Sequence, residues 1–260
     1  MPVLVLAETI IDDYRKYDVT KTKFTLEKSA KDLRYPWALS FIDKTNVLIS
    51  EKDGGLYKVD VLSGKKQKIK HNIPHIDYDG GGQGGLLDVN FNPSDGYTYF
   101  TYSHKSSKLT RSKQLSKKSS TAIARGRLIE NEIKDFEILL IAKPEFLENR
   151  HYGSRIAIKG DDLFVSFGER GQGMISQDPS KHPGSIVRIK TDGSIPHDNP
   201  HFSERMDWLP EIYLIGVRNP QGIAVSPHDD EIYFSSHGPR GGDHIGEVEF
   251  GSNYGWKDIA

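Results

Sequence analysis

The sequence predicts an all-β chain made of repeated sheet units, and three observations carry that reading. Four segments share one layout of apolar strand, polar turn and second strand. Gly, Asp, Asn and Pro break short β-rich runs throughout. Helical periodicity is weak and confined to residues 8–17 and 130–142. A unit that recurs every roughly 40–70 residues and cannot bury its own faces is the mark of a β-propeller. A β-sandwich also gives short, evenly spaced strands and stays the alternative on pattern alone.

The first unit spans 37–51 (WALSFIDKTNVLISE) and is followed by a strand-like run at 55–61 (GLYKVDV). The second spans 85–103 (GLLDVNFNPSDGYTYFTYS). The third, 154–168 (SRIAIKGDDLFVSFG), is followed by 185–190 (SIVRIK), and the fourth spans 221–236 (QGIAVSPHDDEIYFSS). Their starts lie 48, 69 and 67 residues apart, so four units fill the 260 residues and six do not fit. Residues 1–22 read as an N-terminal extension and 23–260 as a partial propeller domain.

Lys and Arg number 35 against 36 Asp and Glu, so no global field favours nucleic acid or an anionic membrane. The absence of Cys excludes disulfides, thiolate metal sites and Cys nucleophiles. No stretch reaches the ~18–20 apolar residues of a membrane span. The apolar run at 3–7 is shorter than a leader core, so a cytoplasmic start and the stump of an export signal both stay open. Gly80-Gly81-Gly82-Gln83-Gly84-Gly85 satisfies G-x-G-x-x-G, but a period-2 strand follows it where a dinucleotide site needs a helix. The basic, Ser-rich stretch 105–120 contains no aromatic side chain and reads as a solvated hairpin loop. No H-E-x-x-H, G-x-S-x-G or P-loop pattern occurs.

Three glycine-flanked clusters are poor strand material and so candidates for chemistry. In the first, Gln83 is the functional side chain in a run of glycines that lets backbone approach a ligand closely. In the second, His151 stands at a loop-to-strand boundary, where an imidazole titrating near neutrality suits a general base; a surface or hydrogen-bonded histidine is the bland alternative. The third brackets the fourth unit. There Arg218 offers a planar fork, Asn219 a paired donor and acceptor, and the Gly238-Pro239 turn presents backbone carbonyls of the kind calcium prefers.

In order along the chain these pieces resemble the soluble pyrroloquinoline quinone (PQQ)-dependent sugar dehydrogenases, the glucose/sorbosone or aldose sugar dehydrogenase family. The matching motifs are Pro36-Trp37-Ala38, Gly82-Gln83-Gly84-Gly85-Leu86-Leu87-Asp88, His151-Tyr152-Gly153-Ser154-Arg155-Ile156 and Gln177-Asp178. Asp192-Gly193-Ser194-Ile195-Pro196, Asp198-Asn199-Pro200, Gly216-Val217-Arg218-Asn219-Pro220-Gln221-Gly222, His237-Gly238-Pro239 and Asn253-Tyr254-Gly255-Trp256 follow. The resemblance implies a six-bladed quinoprotein propeller, with about four blades in this chain, holding PQQ and Ca²⁺ on one face. It further implies oxidation of the anomeric carbon of an aldose sugar to the lactone, with electrons passing on to an artificial or respiratory acceptor. His151 would be the base and Glu169 its acidic partner, at a position where the family usually has Asp. Gln83, Arg218 and Asn219 would contact the cofactor, and Gly238 and Pro239 would supply calcium's backbone oxygens. Periplasmic or secreted location follows from the same resemblance.

Two departures qualify it. His244 stands where the family's Gly-Gly-Asp-Glu run has Glu, which bears on any second calcium site. The family also continues for about two more blades. The expectation is therefore a truncated or split reading frame, with residues 23–33 as a strand whose partner blade is missing. An unclosed ring predicts an open arc, a tighter closure or self-association through exposed edges. A non-enzymatic propeller binding module, or an inactive remnant of such an enzyme, stays as the alternative function, because fold alone does not fix activity.

Overall fold

The computed structural model describes residues 28–106 and 117–259. Among the described residues fifteen strands form four antiparallel meanders, each built in chain order. Blade 1 contains β1 (Pro36–Phe41), β2 (Asn46–Glu51), β3 (Leu56–Asp60) and β4 (Lys66–Lys68). Blade 2 contains β5 (Leu86–Asn92), β6 (Tyr97–Lys105), β7 (Ser119–Ile129) and β8 (Glu132–Ile141). Blade 3 contains β9 (Ile156–Lys159), β10 (Asp162–Phe167), β11 (Ser185–Lys190) and β12 (Ile212–Ile215). Blade 4 contains β13 (Pro220–Val225), β14 (Ile232–Ser236) and β15 (His244–Glu247), three strands among the described residues. Each predicted unit is the first hairpin of one blade, and both predicted follow-on runs are third strands.

Turn chemistry explains why the hairpins form where they do. Asp43 accepts the backbone N–H of Thr45 and Asn46, each at 2.8 Å, to close β1 on β2. Asp95 likewise accepts the Tyr97 N–H at 2.8 Å before β6, beside Gly96 at φ 71°. The same device recurs between β13 and β14, where Asp229 accepts the Glu231 N–H at 3.1 Å beside Asp230 at φ 62°, while Gly160 at φ 59° turns the chain between β9 and β10.

Apolar strand faces make the blade-to-blade cores. Leu48 and Leu56 of blade 1 pack with Leu86, Phe100 and Tyr102 of blade 2. Tyr99 and Ile123 pack with Leu163 and Val165 of blade 3, and Phe164 and Ile186 with Ile232 and Phe234 of blade 4. Among the described residues no cluster joins blade 4 to blade 1, so the blades form an arc.

Two expectations are corrected. The helical window at 130–142 is strand β8, paired along β7 with two register shifts. Of the strand expected at 23–33, residues 28–33 are irregular, with Ala30 and Leu33 packed on Val47, Ile49 and Val59 of blade 1. The rest of that segment, the 1–22 extension and the 8–17 window lie outside the described residues. The basic stretch 105–120 does join β6 to β7, whose ends pair Lys105 with Ser119, although its middle lies outside the described residues. Among the described residues no helix is long and apolar enough to cross a membrane.

One side chain ties the four blades together. Arg155, just before β9, donates to the Asp88 carboxylate of β5 at 3.1 Å and to the Gln221 carbonyl of β13 at 2.8 Å. Its guanidinium also lies 4.1 Å from the centre of the Trp37 ring of β1.

Candidate active site

Antiparallel order brings all the candidate loops to one end of the arc. The loops at 80–85, 148–155 and 216–219 lead into the innermost strands β5, β9 and β13, and those at 168–173 and 237–243 leave β10 and β14. Register shifts sit at the first residues of β1, β5 and β13, at this same end. Bulges there let the chain turn away from sheet pairing into a site.

His151 is the hub. It holds a left-handed backbone at φ 52°, uncommon for a residue with a side chain. Its backbone N–H donates to Gln83 Oε1 at 2.7 Å, and its Nδ1 lies 2.5 Å from Glu169 Oε1. Arg218 Nη2 approaches Nε2 at 3.4 Å. A guanidinium only donates and an ionised carboxylate only accepts. Nδ1 therefore carries the proton, and Nε2 presents its lone pair. Close approach at Gly168 completes the arrangement, since a Cβ there would fall 2.1 Å from the His151 carbonyl oxygen and 2.6 Å from Asn219 Oδ1.

Glu169 is 2% exposed and accepts a second bond from the Gly173 N–H at 2.8 Å. Burial pushes its carboxyl up, but the hydrogen bonds from His151 and Gly173 and the nearby Arg218 charge hold it below its ordinary 4.5. A lowered carboxyl stabilises the fold above the ordinary range, and that contribution is lost as pH falls through the lowered value. Thermal melts are thus expected to show a steeper loss of stability below pH 4.5 in the parent chain than in Glu169→Gln. Equal slopes would remove Glu169 from the list of groups that the fold keeps ionised.

Gln83 is held by its own loop. Asn149 accepts the Gln83 N–H on its backbone oxygen and the Gly84 N–H on Oδ1, both at 3.0 Å. Asp79 caps the N–H groups of Gly82 and Gly81 and bonds Asn149, and these three bonds lower its carboxyl to about 2. Lys52 Nζ donates to the Gly82 carbonyl from across the loop.

Arg218 and Asn219 divide the remaining work. Arg218 Nη1 donates to the His237 carbonyl at 3.1 Å, so one guanidinium bridges His151 and the segment that continues into Gly238 and Pro239. Asn219, 2% exposed, faces inward instead and accepts the Gly153 N–H at 3.0 Å. Trp256, whose ring centre lies 5.3 Å from the Arg218 guanidinium, accepts on its backbone oxygen a bond from Gln177 Nε2 at 3.0 Å, and Gln177 is itself paired with Asn253. Gly238 donates its N–H to Asp243 at 2.8 Å, and a Cβ on Gly238 would meet the Gly241 and Gly242 carbonyl oxygens at 2.5 Å. Beside this turn lies an open cleft of about 590 Å³ lined by Gln221, Ser235, Ser236, His237, Asp243 and His244.

The structure thus brings Gln83, His151, Glu169 and Arg218 into one bonded chain, with Asn219 supporting it and Gly238-Pro239 adjoining it through His237. Sequence reasoning missed Lys52 and Asn149, which carry no pattern of their own; position beside the His151 motif was the one signal for Asn149. Other motif residues are structural. Asp192 closes its own turn on the Ser194 N–H at 2.9 Å, and Asn199 bonds the Arg188 and Pro210 carbonyls at 2.9 and 2.8 Å.

Meander blades in an arc, with an oriented imidazole and a guanidinium gathered at one end, make the chain part of a β-propeller that carries a site on one face. The chain belongs to the glucose/sorbosone dehydrogenase family, whose model matches residues 33–260. It is 34% identical over 231 residues to aldose sugar dehydrogenase YliI of Escherichia coli (strain K12), covering 86% of this chain and 59% of that protein. The apo form of the soluble aldose sugar dehydrogenase from Escherichia coli superposes with a TM-score of 0.77 at 32% identity, over 88% of this chain and 65% of the other. The PQQ-bound form of aldose sugar dehydrogenase from Streptomyces coelicolor gives 0.74 at 26% identity, over 89% and 65%. The chain therefore spans about three fifths of the length of its curated relative.

Proposed function

We propose that this chain carries the proton-accepting and cofactor-contacting part of a PQQ- and calcium-dependent aldose dehydrogenase, which converts the anomeric carbon of an aldose to the lactone. The observation that carries the proposal is the orientation of His151: Nδ1 is committed to the buried Glu169, and Nε2 is left with its lone pair facing Arg218. When bound, PQQ supplies a hydride-accepting quinone, and calcium supplies a Lewis acid that polarises its carbonyl. His151 Nε2 takes the proton of the anomeric hydroxyl, and Glu169 stabilises the imidazolium that results. Gln83 holds the backbone of His151 and lines the approach to it.

The residues present fit these groups. The Arg218 fork has no carboxylate partner among the described residues and can turn its donors toward quinone oxygens. Carbonyl oxygens crowd the Gly238 turn, and hard oxygen ligands suit calcium. By the family resemblance Gly238 and Pro239 would hold it through backbone oxygens; among the described residues no group of three or more His, Asp or Glu could hold a metal. The substrate is an aldose sugar, the final electron acceptor a dye or respiratory carrier, and the location periplasmic or secreted.

Calorimetric titration with PQQ, with and without Ca²⁺, followed by sugar-dependent dye reduction, tests the proposal. Calcium-dependent heat with turnover supports it. Heat without turnover identifies an inactive relative, and a cooperative melt with no heat leaves a scaffold or binding module.

A further inference from the structure

Arg170 is only 2% exposed, yet it forms no ion pair among the described residues. Its donors instead go to three backbone carbonyls: Nε to Arg150 at 2.9 Å, Nη1 to Ser119 at 2.9 Å, and Nη2 to Glu148. The guanidinium carbon lies over the Tyr152 ring, 3.7 Å from its centre. Glu148, Arg150 and Tyr152 flank His151 on both sides, and Arg170 follows Glu169, which holds the imidazole. One short turn therefore grips the same histidine twice, by the ring through Glu169 and by the backbone through Arg170. Burying an unpaired guanidinium is costly. A planar fork with five donors is the side chain that can reach several carbonyls at once.

We propose that Arg170 is a positioning residue. It holds the 148–152 backbone so that His151 keeps its left-handed conformation, with Nδ1 on Glu169 and Nε2 outward. This rests on the reading of His151 as the base, but its test reads the ring and not turnover. The full chain would be labelled with ¹⁵N-histidine, and the His151 imidazole nitrogens followed by NMR, assigned with His151→Asn. The parent is expected to show a single tautomer protonated on Nδ1. Arg170→Met is expected to lose that signature in favour of averaged nitrogens, and Arg170→Lys, which can still reach one carbonyl, to restore part of it. A folded Arg170→Met chain with a lower melting temperature and an unchanged His151 spectrum would overturn the proposal. So would failure of both variants to melt cooperatively, because Arg170 would then hold the fold and not the ring. Failure of PQQ-dependent oxidation in the parent, with these ring shifts intact, would count against the enzyme reading alone.

Discussion

Replacing His151 with Asn is expected to lower sugar-dependent dye reduction by about 10²–10⁴-fold relative to the parent chain loaded with PQQ and Ca²⁺, the usual worth of a positioned general base. Asn is the informative replacement because it tolerates the left-handed backbone that His151 adopts at φ 52°. Its amide can also still donate to Glu169, so the buried carboxylate keeps a partner. What it lacks is a basic ring nitrogen with a free lone pair to accept the proton. PQQ affinity and melting temperature should therefore change little while turnover collapses. His151→Ala should lose turnover to the same extent and also lose about 1–3 kcal/mol of stability, because it withdraws the ring from a carboxylate that is 2% exposed. The pair of variants separates chemistry from packing. An Asn variant that reduces dye as fast as the parent removes His151 from the mechanism.

Arg155→Ala is expected to destabilise the chain by about 3 kcal/mol, with a fall in melting temperature on the order of 10 °C. The lower end of the cost of unpairing a buried charge applies, since the Arg155 side chain keeps 29% of its surface while that of Asp88 keeps 6%. The loss is larger than any single contact because Arg155 touches β1, β5 and β13 from the start of β9. Asp88 supplies a second readout. Burial raises its carboxyl to about 6, against the lowering effects of Arg155 and of the Ile156 and Val89 N–H groups. Without Arg155 it rises further, so the orphaned group takes up a proton as pH falls and the penalty of burying its charge disappears. The stability deficit of Arg155→Ala should accordingly shrink between pH 7.5 and about 5. A deficit that stays constant with pH would mean that the guanidinium acts through stacking on Trp37 and not through Asp88.

The contrast between β8 and the other strands shows what pattern reading can and cannot reach. Ile133, Phe136, Leu139 and Leu140 fall at helix-like spacing, which is why 130–142 reads as a weak helix. The pairing of β8 with β7 has two register shifts, and each shift swaps the faces that alternate residues occupy. A bulged strand thus loses its period of two and mimics another element. At the site, Gln83, His151 and Arg218 stood out because glycines around them made their segments unfit for strands. Asn149, Lys52 and Arg170 did not, because each acts on backbone carbonyls or amides and carries no local motif.

Strand units, hairpin turns and the resemblance to a family are encoded locally: alternation of apolar residues, Asp and Gly at turns, and short motifs are properties of neighbours in the chain. Which nitrogen of His151 carries the proton, why a glutamate at position 169 reaches it, and how Arg155 joins four blades were decided by tertiary structure. Those outcomes depend on groups 18 to 118 residues apart in the chain meeting at hydrogen-bond or stacking distance. Only the packing of successive blades, driven by burial of their apolar faces, brings such groups together.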